Sequence, residues 1–386
     1  MVLSIKSNAV LLGENQTDLK PFITVAIPHY KNREYLEIAL NSLLDQSCNE
    51  FEILISDDKS PDDAYQLIPK YLQQAGKPFR YYRQSENLGY DGNVRFCLKA
   101  AKGAYVFLLG NDDSLNGPTA LEEVCKALKS MTPQVAFTSY CDFGSGIQSK
   151  RAQETKKLGS GVDVAIRVFR AFSFVSGLIF SQSEALKWDT DRWDKSIYYQ
   201  FYLAMQIIGS GGDVATISTN AVRQYNRING VTAPGTNPWV NLGCSFKPRY
   251  TGMDSVIRVT AYTILPFVDR KEQSKVLRSI FAQIFSISYP NALFHYRQMA
   301  NWSFAVGVAR RMWPAILFSE YKYPYRDAIY PEFSLKLLDR LYLWTIYILI
   351  TILSLTIPVW IFNKIRGRLV NYVQRRQQDI NLNNED

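Results

Sequence analysis

Short apolar runs alternate with amphipathic segments through the first 140 residues, and this alternation limits the possible folds more than any other feature. Apolar runs at 22–27, 51–56 and 79–83 are each followed by residues whose apolar members recur with helical spacing. The same order continues with apolar runs at 104–109 and 135–140. Strands that are separated by helices usually pair in parallel. The sequence therefore predicts an α/β fold: a mainly parallel sheet with helices on both faces.

The pattern changes after residue 140. The sequence predicts an exposed loop at 144–161, helices at 162–172 and 198–208, and a strand at 178–180 between those helices. Residues 230–238 are rich in Gly, Pro, Asn and Thr, which is typical of a mobile loop. Helical spacing then continues from residue 254 to residue 311.

A chain of 386 residues is longer than a single hydrophobic core usually requires, so we expect more than one domain. The composition divides it into four parts. These are an N-terminal extension at 1–20, an α/β catalytic domain at 21–245, a helical extension at 246–335, and a membrane-associated helix with a basic tail at 336–386.

Residues 341–363 contain no charged side chain, and a helix of this length can cross a bilayer core of about 30 Å. Aromatic residues near its ends and basic residues after it, such as Trp344, Trp360 and Lys364, are typical of membrane interfaces. The net charge of +9 therefore favours contact with lipid over nucleic acid. Three arrangements stay open: a spanning helix, a re-entrant or interfacial helix, and a buried helix of a soluble subdomain.

The cysteines and histidines exclude several kinds of site. Five cysteines without CxxC spacing are typical of reduced, buried thiols. With His29 and His295 as the only histidines, neither a histidine-based zinc site nor a serine triad is expected.

Polar clusters follow the predicted strands where a parallel sheet binds its ligands, at the carboxyl ends of the strands. The clusters are Pro28 to Tyr30, the pair Asp57 and Asp58, and the run Asn111, Asp112 and Asp113. Two carboxylate pairs at one edge repel each other unless a cation lies between them, which favours a divalent metal with oxygen ligands. The alternative is that these are ordinary Asp-rich turns.

Four motifs resemble glycosyltransferase family 2 in their order and spacing. They are residues 24–30 (TVAIPHY), 55–60 (ISDDKS), 86–89 (ENLG) and 103–113 (GAYVFLLGNDD). The resemblance covers roughly residues 20–130. It implies the GT-A fold, a nucleotide-diphosphate sugar donor, and single displacement with inversion.

The resemblance also implies roles for individual residues. Pro28 and Tyr30 would line the nucleotide pocket, and Asp57 or Asp58 would hold the base and ribose. The full set expected to bind the nucleotide sugar is Pro28, Tyr30, Asp57, Asp58, Asn87, Gly89, Asn93, Asn111, Asp112, Arg223 and Arg227.

The metal motif departs from the family pattern, because Gly110 stands where the first acidic residue is expected. Asp112 is then the first candidate ligand and Asp113 the second, for Mg²⁺ or Mn²⁺. Arg223 and Arg227 precede the loop at 230–238, where a guanidinium would hold diphosphate oxygens. An ordinary basic turn is the alternative.

Many relatives carry a Glu-Asp pair that includes the general base, and this sequence has no counterpart of that pair. The nearest carboxylates, Asp191 and Asp194, would serve as catalytic bases if one of them reaches the acceptor hydroxyl. The alternative is that both are solvated acidic residues beside Trp188 and Trp193.

These features together predict a membrane-associated glycosyltransferase with its catalytic domain on the cytoplasmic face. Its partners would be a nucleotide sugar, a lipid-linked or surface-polysaccharide acceptor and the membrane, but not nucleic acid, and a homo-oligomer stays open. The rival is a catalytically degenerate membrane scaffold that binds nucleotide sugar or glycan. Gly110 and the missing acidic pair favour the rival, whereas the four aspartates favour the enzyme.

Overall fold

The computed structural model describes residues 9–15, 20–149, 151–194, 196–233, 253–299, 302–312, 336–362 and 364. The chain divides into two compact units. The first unit comprises Met1–Thr236 and Tyr262–Val268, and the second comprises Asn237–Ala261 and Asp269–Asp386.

The first unit is built on a ten-stranded sheet. Its strands are β1 (Val10–Asn15), β2 (Ile23–His29), β3 (Phe51–Asp57), β4 (Phe79–Arg83), β5 (Tyr105–Leu108), β6 (Ser114–Leu115), β7 (Val135–Asp142), β8 (Lys156–Gly159), β9 (Leu178–Ser181) and β10 (Val214–Gln224). The order across the sheet is β1-β4-β3-β2-β5-β9-β7-β10-β6, and β8 also pairs with β10. A separate hairpin joins β11 (Arg227–Ile228) to β12 (Val231–Thr232).

Strands β2, β3, β4 and β5 pair in parallel, as do β7 and β10, so the predicted mainly parallel sheet is confirmed. Strand β9 is antiparallel to both of its neighbours, β5 and β7. It therefore joins the two parallel halves and brings the residues before it to the carboxyl edge of β5.

Helices cover both faces of this sheet. The helices of the first unit are α1 (Arg33–Leu44), α2 (Ala64–Ala75), α3 (Gly89–Ala100), α4 (Ala120–Met131), α5 (Val162–Val168), α6 (Gln182–Lys187) and α7 (Tyr199–Gly209). On one face, Ile53 and Ile55 pack in a cluster with Leu36 and Leu40 of α1. On the other face, Ser56 hydrogen-bonds Asn93 of α3. Because side chains alternate along β3, one face of the strand packs into an apolar core, and the other face hydrogen-bonds to α3.

Several elements differ from the sequence prediction. Strand β1 lies within the predicted N-terminal extension and pairs with the edge of β4, and β8 lies within the predicted loop at 144–161. Strand β10 and the hairpin were not predicted. Of the predicted mobile loop, Val231–Thr232 forms β12, and residues 234–238 lie outside the described part.

The second unit is helical where it is described, as the sequence predicts. Its helices are α9 (Gln273–Gln283), α10 (Tyr289–Met299), α11 (Trp302–Arg311) and α12 (Leu337–Thr356), and a π-helical stretch at Ile284–Ser288 links α9 to α10. Helix α8 (Met253–Ile264) runs across the boundary between the units. The four described cysteines are free and buried, as predicted, and Cys244 lies outside the described part.

Helix α12 covers most of the predicted apolar segment at 341–363, but it begins at Leu337 and ends at Thr356, shortly before Pro358. One face packs inward, where Asp339 accepts from Ser274 and Tyr347 donates to the Ala309 carbonyl at 2.8 Å. The other face is apolar and exposed. Among the described helices, α12 alone has the length and composition needed to cross a bilayer.

Candidate functional site

Three loops meet at the carboxyl edge of β2, β3 and β5. The Asp58 amide donates to the His29 carbonyl at 2.9 Å, which joins the loops after β3 and β2. The Asn111 side-chain amide donates to the Lys31 carbonyl at 2.9 Å and lies 3.0 Å from His29 Nδ1, which joins the loops after β5 and β2. The parallel pairing thus brings the three predicted polar clusters together.

Asp57 and Asp58 differ in what their carboxylates hold. Asp57 is fully buried and accepts from the Ser60 amide at 2.7 Å and from the Tyr81 hydroxyl at 2.9 Å. Asp58 accepts from the amides of Leu88 and Gly89, at 2.6 and 3.0 Å, and so fixes the start of α3. Burial raises the pKa of Asp58 to about 6, against the opposing effect of these two hydrogen bonds.

The other residues expected around the nucleotide lie close to Asp58. The Asn87 side chain donates to the Asp58 carbonyl at 3.1 Å. Asn93 is buried and donates to the Ser56 carbonyl at 3.0 Å, so it holds β3 against α3 from inside the fold. Tyr30, by contrast, is 44% exposed, with Lys31 Nζ 4.9 Å from its ring centre. Pro28, next to it, is partly exposed.

Asp113 is held by the protein through both carboxylate oxygens. One oxygen accepts from the Ser176 hydroxyl, and the other accepts from the Tyr225 amide at 2.8 Å. The Ser176 hydroxyl also accepts from the Gly110 amide at 2.8 Å. Burial and the nearby Asp112 carboxylate hold the pKa of Asp113 well above its usual range.

Asp112 has no such partners. Among the described residues, only its own amide donates to its carboxylate, and burial raises its pKa to about 6. Gly110 provides the space for it, because a Cβ at Gly110 would lie 2.8 Å from Asp112 Oδ1. Asp112 is therefore the acidic side chain at this edge whose oxygens the described protein leaves available.

The start of α3 also contacts the segment that carries the two candidate bases. Asp91 accepts from the amides of Ile197 and Tyr199, at 2.7 and 3.0 Å. Tyr90 lies within electrostatic range of both Asp112 and Tyr198, and its pKa is raised well above the usual value by burial and then by Asp91. Asp91 thus connects the start of α3 with the segment at 189–199.

Asp191 and Asp194 have different surroundings within this segment. Asp191 is exposed, and its carbonyl accepts from the Asp194 amide at 3.0 Å. The Asp194 carboxylate accepts from Arg95 at 2.7 Å through one oxygen, and the other oxygen is enclosed without a partner among the described residues. Burial raises the pKa of Asp194, and Arg95 opposes that rise.

Arg223 and Arg227 lie beside the same edge, but each side chain has a protein partner. Arg223 donates to the Asn116 side chain at 2.7 Å, and Arg227 lies 3.5 Å from an Asp142 oxygen. Two residues between them, Tyr225 and Asn226, hydrogen-bond directly to Asp113 and Asp112. The Asn226 amide donates to the Asp112 carbonyl at 2.7 Å.

Residues 24–185 match the family model described as Glycosyl transferase family 2. These residues form a family 2 glycosyltransferase domain. The match extends past the motifs at 20–130 and includes Ser176, β9 and the start of α6.

Two curated glycosyltransferases show sequence similarity to parts of this domain. The abequosyltransferase of Salmonella typhimurium is 38% identical over 95 residues, which are 24% of this chain and 28% of that protein. The GalNAc(5)-diNAcBac-PP-undecaprenol beta-1,3-glucosyltransferase of Campylobacter jejuni is 32% identical over 96 residues, which are 25% and 31% of the two chains. The chain thus spans about a third or less of the length of either relative.

The fold is that of solved glycosyltransferases. Residues 1–349 of Staphylococcus aureus TarS, in complex with UDP-GlcNAc, align with a TM-score of 0.57 at 16% identity, over 86% of this chain and 90% of that one. The mixed, mostly parallel sheet with helices on both faces is therefore a GT-A fold, as the sequence predicts.

The family 2 domain offers limited protein ligands for a divalent cation. No group of three or more His, Cys, Asp or Glu side chains lies close enough together for this purpose in the described ranges. Asp112 fits a single-carboxylate contact, whereas both oxygens of Asp113 are already bonded. Mg²⁺ is often held by one or two carboxylates together with substrate phosphates, and Asp112 suits that arrangement.

Three residues of this site were not singled out from the sequence. Ser176 fixes Asp113 and Gly110, Tyr90 interacts electrostatically with Asp112 and Tyr198, and Arg95 pairs with Asp194. Tyr90 directly follows the Asn87–Gly89 motif, so its position gave a signal. Ser176 and Arg95 gave none, because their partners are distant in sequence.

Proposed function

We propose that this protein transfers a sugar from a nucleotide-diphosphate donor to a lipid-linked or polysaccharide acceptor at a membrane, with inversion at the anomeric carbon. The observation that carries the proposal is Asp112, a carboxylate at the carboxyl edge whose oxygens have no other partner among the described residues. The family 2 domain supports the reaction class. Two similar enzymes support the acceptor class: the Campylobacter jejuni glucosyltransferase is named for an undecaprenol-linked glycan, and Staphylococcus aureus TarS is named for poly(ribitol phosphate).

The donor would lie along the edge formed by the loops after β2, β3 and β5. Tyr30 and Pro28 would contact the base from the rim, while Asp58 and Asn87 keep the start of α3 in place. Asp57 and Asn93 would support the site from inside the fold, since both side chains are buried and hydrogen-bonded to other parts of the protein. Asp112 would hold Mg²⁺ or Mn²⁺ against the diphosphate, where the cation would stabilise charge on the departing nucleotide.

Asp194 is our first candidate for the base and Asp191 our second. A base must be ionised to take the acceptor proton, and a pKa nearer to neutral makes it more effective. Burial moves the pKa of Asp194 in that direction. The acceptor oxygen would bond to the anomeric carbon as the bond to the diphosphate breaks, and the nucleoside diphosphate would leave.

Release of free nucleoside diphosphate tests this function. Detergent-purified protein would be given UDP-, GDP-, CDP- and dTDP-sugars with Mn²⁺ or Mg²⁺, with and without a membrane-lipid extract as the acceptor source. We expect one donor to be consumed only with extract, and Asp112→Asn to abolish that release. We also expect Asp194→Asn to stop transfer and Asp191→Asn to leave it largely intact.

Binding without turnover would favour the alternative function, a catalytically degenerate membrane scaffold. Nucleotide sugar that binds but is never consumed, under every donor and metal, would mean that the domain has lost catalysis. Gly110 at the first acidic position is the feature that supports this rival.

The domain boundaries and the location belong to the same proposal. Residues 21–245 would form the catalytic domain on the cytoplasmic face, where nucleotide sugars occur. Residues 246–335 would extend it, and 336–386 would attach it to the membrane. The apolar, exposed face of α12 supports the attachment, with exposed fractions of 55% for Leu341 and 54% for Ile352.

A further inference from the structure

One face of α3 carries three charged residues that all contact the segment at 189–199. Asp91, Arg95 and Lys99 follow each other at four-residue spacing, so they lie on the same side of the helix. We propose that Arg95 is a positioning residue, which holds the carboxylate of Asp194 in place for the acceptor hydroxyl. This inference rests on the proposed function, because it takes Asp194 as the base.

The Arg95 guanidinium bridges two carboxylates. It donates to Asp194 Oδ2 at 2.7 Å through Nη1 and to Asp189 Oδ1 at 2.9 Å through Nε, while Nη2 lies 3.3 Å from Asp189 Oδ2. Arg95 is 2% exposed, so its guanidinium is shielded from solvent, whereas the Asp194 side chain is 27% exposed. Because the guanidinium is planar and rigid, the Asp189 bonds fix the direction in which Nη1 meets Asp194.

Asp189 is held independently of Arg95. Lys99 Nζ lies 2.6 Å from Asp189 Oδ2, and the Tyr199 hydroxyl donates to Asp189 Oδ1 at 3.0 Å. Asp189 therefore acts as an anchor that orients Arg95. Asp194, by contrast, has Arg95 as its one ion-pair partner among the described residues.

The same helix is also bonded to the loop after β3, which carries Asp58. Helix α3 begins at Gly89, whose amide donates to Asp58, and Asp91 accepts from the amides of Ile197 and Tyr199. Arg95 lies about one turn further along, and side chains on a helix tilt toward its N-terminus. The position of Asp194 is thereby tied to the helix that starts at the donor edge.

The charges around Asp194 indicate what loss of Arg95 would do. Burial raises the pKa of Asp194, and Arg95 lowers it. Without Arg95, Asp194 would lose its one ion-pair partner among the described residues and keep the neighbouring carboxylates of Asp191 and Asp189, so the pKa of Asp194 would rise further. An opposite charge in contact typically lowers a carboxyl pKa by about one to three units. The charged groups that act on the Asp194 carboxylate are Arg95 from α3 and the carboxylates of Asp191 and Asp189.

The experiment compares Arg95→Met, Arg95→Lys and Lys99→Met with the wild type. Lys99→Met is the matched control, since it removes a cation that contacts Asp189 but not Asp194. The donor found in the nucleotide-sugar panel is used, and kcat and the KM for donor are measured across pH. In Arg95→Met we expect the acid limb of the pH profile to move up by about one to three pH units. We also expect kcat to fall at least about tenfold with an unchanged KM for donor.

Arg95→Lys guards against a simple folding defect. Its charge keeps Asp194 ionised, so we expect the acid limb of the wild type, with a reduced kcat because an ammonium cannot bridge both carboxylates. We expect Lys99→Met to keep the wild-type acid limb. An unshifted acid limb in Arg95→Met, or an equal shift in Lys99→Met, would overturn the inference.

Failure of the proposed function itself can be recognised separately. If Asp194→Asn retains wild-type transfer, Asp194 is not the base and the role assigned to Arg95 falls with it. If the wild type consumes no donor, hydrogen exchange of peptides covering Asp189 to Asp194 is the second readout. Faster exchange in Arg95→Met than in Lys99→Met would then leave Arg95 a structural tie only, and equal exchange would overturn that tie as well.

Discussion

The four aspartates at the carboxyl edge differ in the partners of their carboxylates. Asp57 holds the turn after β3, Asp58 holds the start of α3, and Asp113 binds Ser176 and the Tyr225 amide. Within the described part of the chain, the Asp112 carboxylate accepts only from its own amide. Identical side chains thus take different parts because their neighbours differ, and the available carboxylate is the one that would contact a cation and diphosphate.

Replacement of Asp112 by Asn should stabilise the protein above neutral pH. Burial raises the pKa of Asp112 from 3.8 to about 6, so between these values the folded protein binds the proton more tightly than the unfolded chain. The contribution of Asp112 to wild-type stability therefore falls as pH rises through this range, by up to about 3 kcal/mol. Asn has no such titration. Urea unfolding in the presence of EDTA should show Asp112→Asn gaining most at about pH 8 and little near pH 4.

The exposed Asp191→Asn variant is the control for this measurement. A gain for Asp112→Asn that is the same at both pH values would mean that burial does not disfavour the Asp112 carboxylate.

Restoring the family's acidic residue at Gly110 should not improve the enzyme. A Cβ there would lie 2.8 Å from Asp112 Oδ1, and 3.2 Å from both Asp113 Oδ2 and Ser176 Oγ. We expect Gly110→Asp to lower the free energy of unfolding by about 1–3 kcal/mol, as overpacking usually does, and to reduce transfer. Gly110→Ala separates the steric effect from the charge. Higher Mn²⁺ affinity and faster transfer in Gly110→Asp would contradict this view of the site.

At the level of elements, local sequence patterns predicted the buried strands but did not predict the edge strand β1. Strands β2, β3 and β5 are apolar runs, whereas β1 reads VLLGEN and is mostly exposed. Strand β1 exists because β4 offers it an unpaired backbone edge. The predicted strand at 178–180 is present as β9, but its antiparallel direction depends on its neighbours.

Gly13 should be needed for β1 to lie against α2. A Cβ at Gly13 would be 2.8 Å from the Pro69 Cβ of α2. We expect Gly13→Val to lower the free energy of unfolding by about 1–3 kcal/mol, because backbone must move to relieve this contact. The neighbouring, 40% exposed Leu12 provides the control as Leu12→Val. Equal urea midpoints for the two variants would show that β1 adjusts without cost.

For the whole molecule, the exposed face of α12 should determine whether the protein binds lipid. We expect the double variant Leu349→Glu with Ile352→Glu to float with liposomes at least about tenfold less than the wild type. A charged side chain at the centre of an inserted helix costs about 2.5–3.5 kcal/mol on insertion scales. Thermal unfolding should change little, since both residues are about half exposed, at 54% each.

The matched control places the same charges on exposed leucines of the first unit. Leu67 and Leu186 are 41% and 43% exposed, so Leu67→Glu with Leu186→Glu tests charge alone. Equal loss of flotation in both double variants would refute a specific role for α12.

The sequence by itself determined the alternation of strands and helices, the polar clusters after the strands, and the long apolar helix. These depend on local periodicity and on residues close together in the chain. Only the tertiary structure decided which carboxylate stays available. Asp113 is held by Ser176 and by the amide of Tyr225, which lie 63 and 112 residues further along the chain. Hydrogen bonds form between groups that are near in space, and a linear pattern does not record that distance.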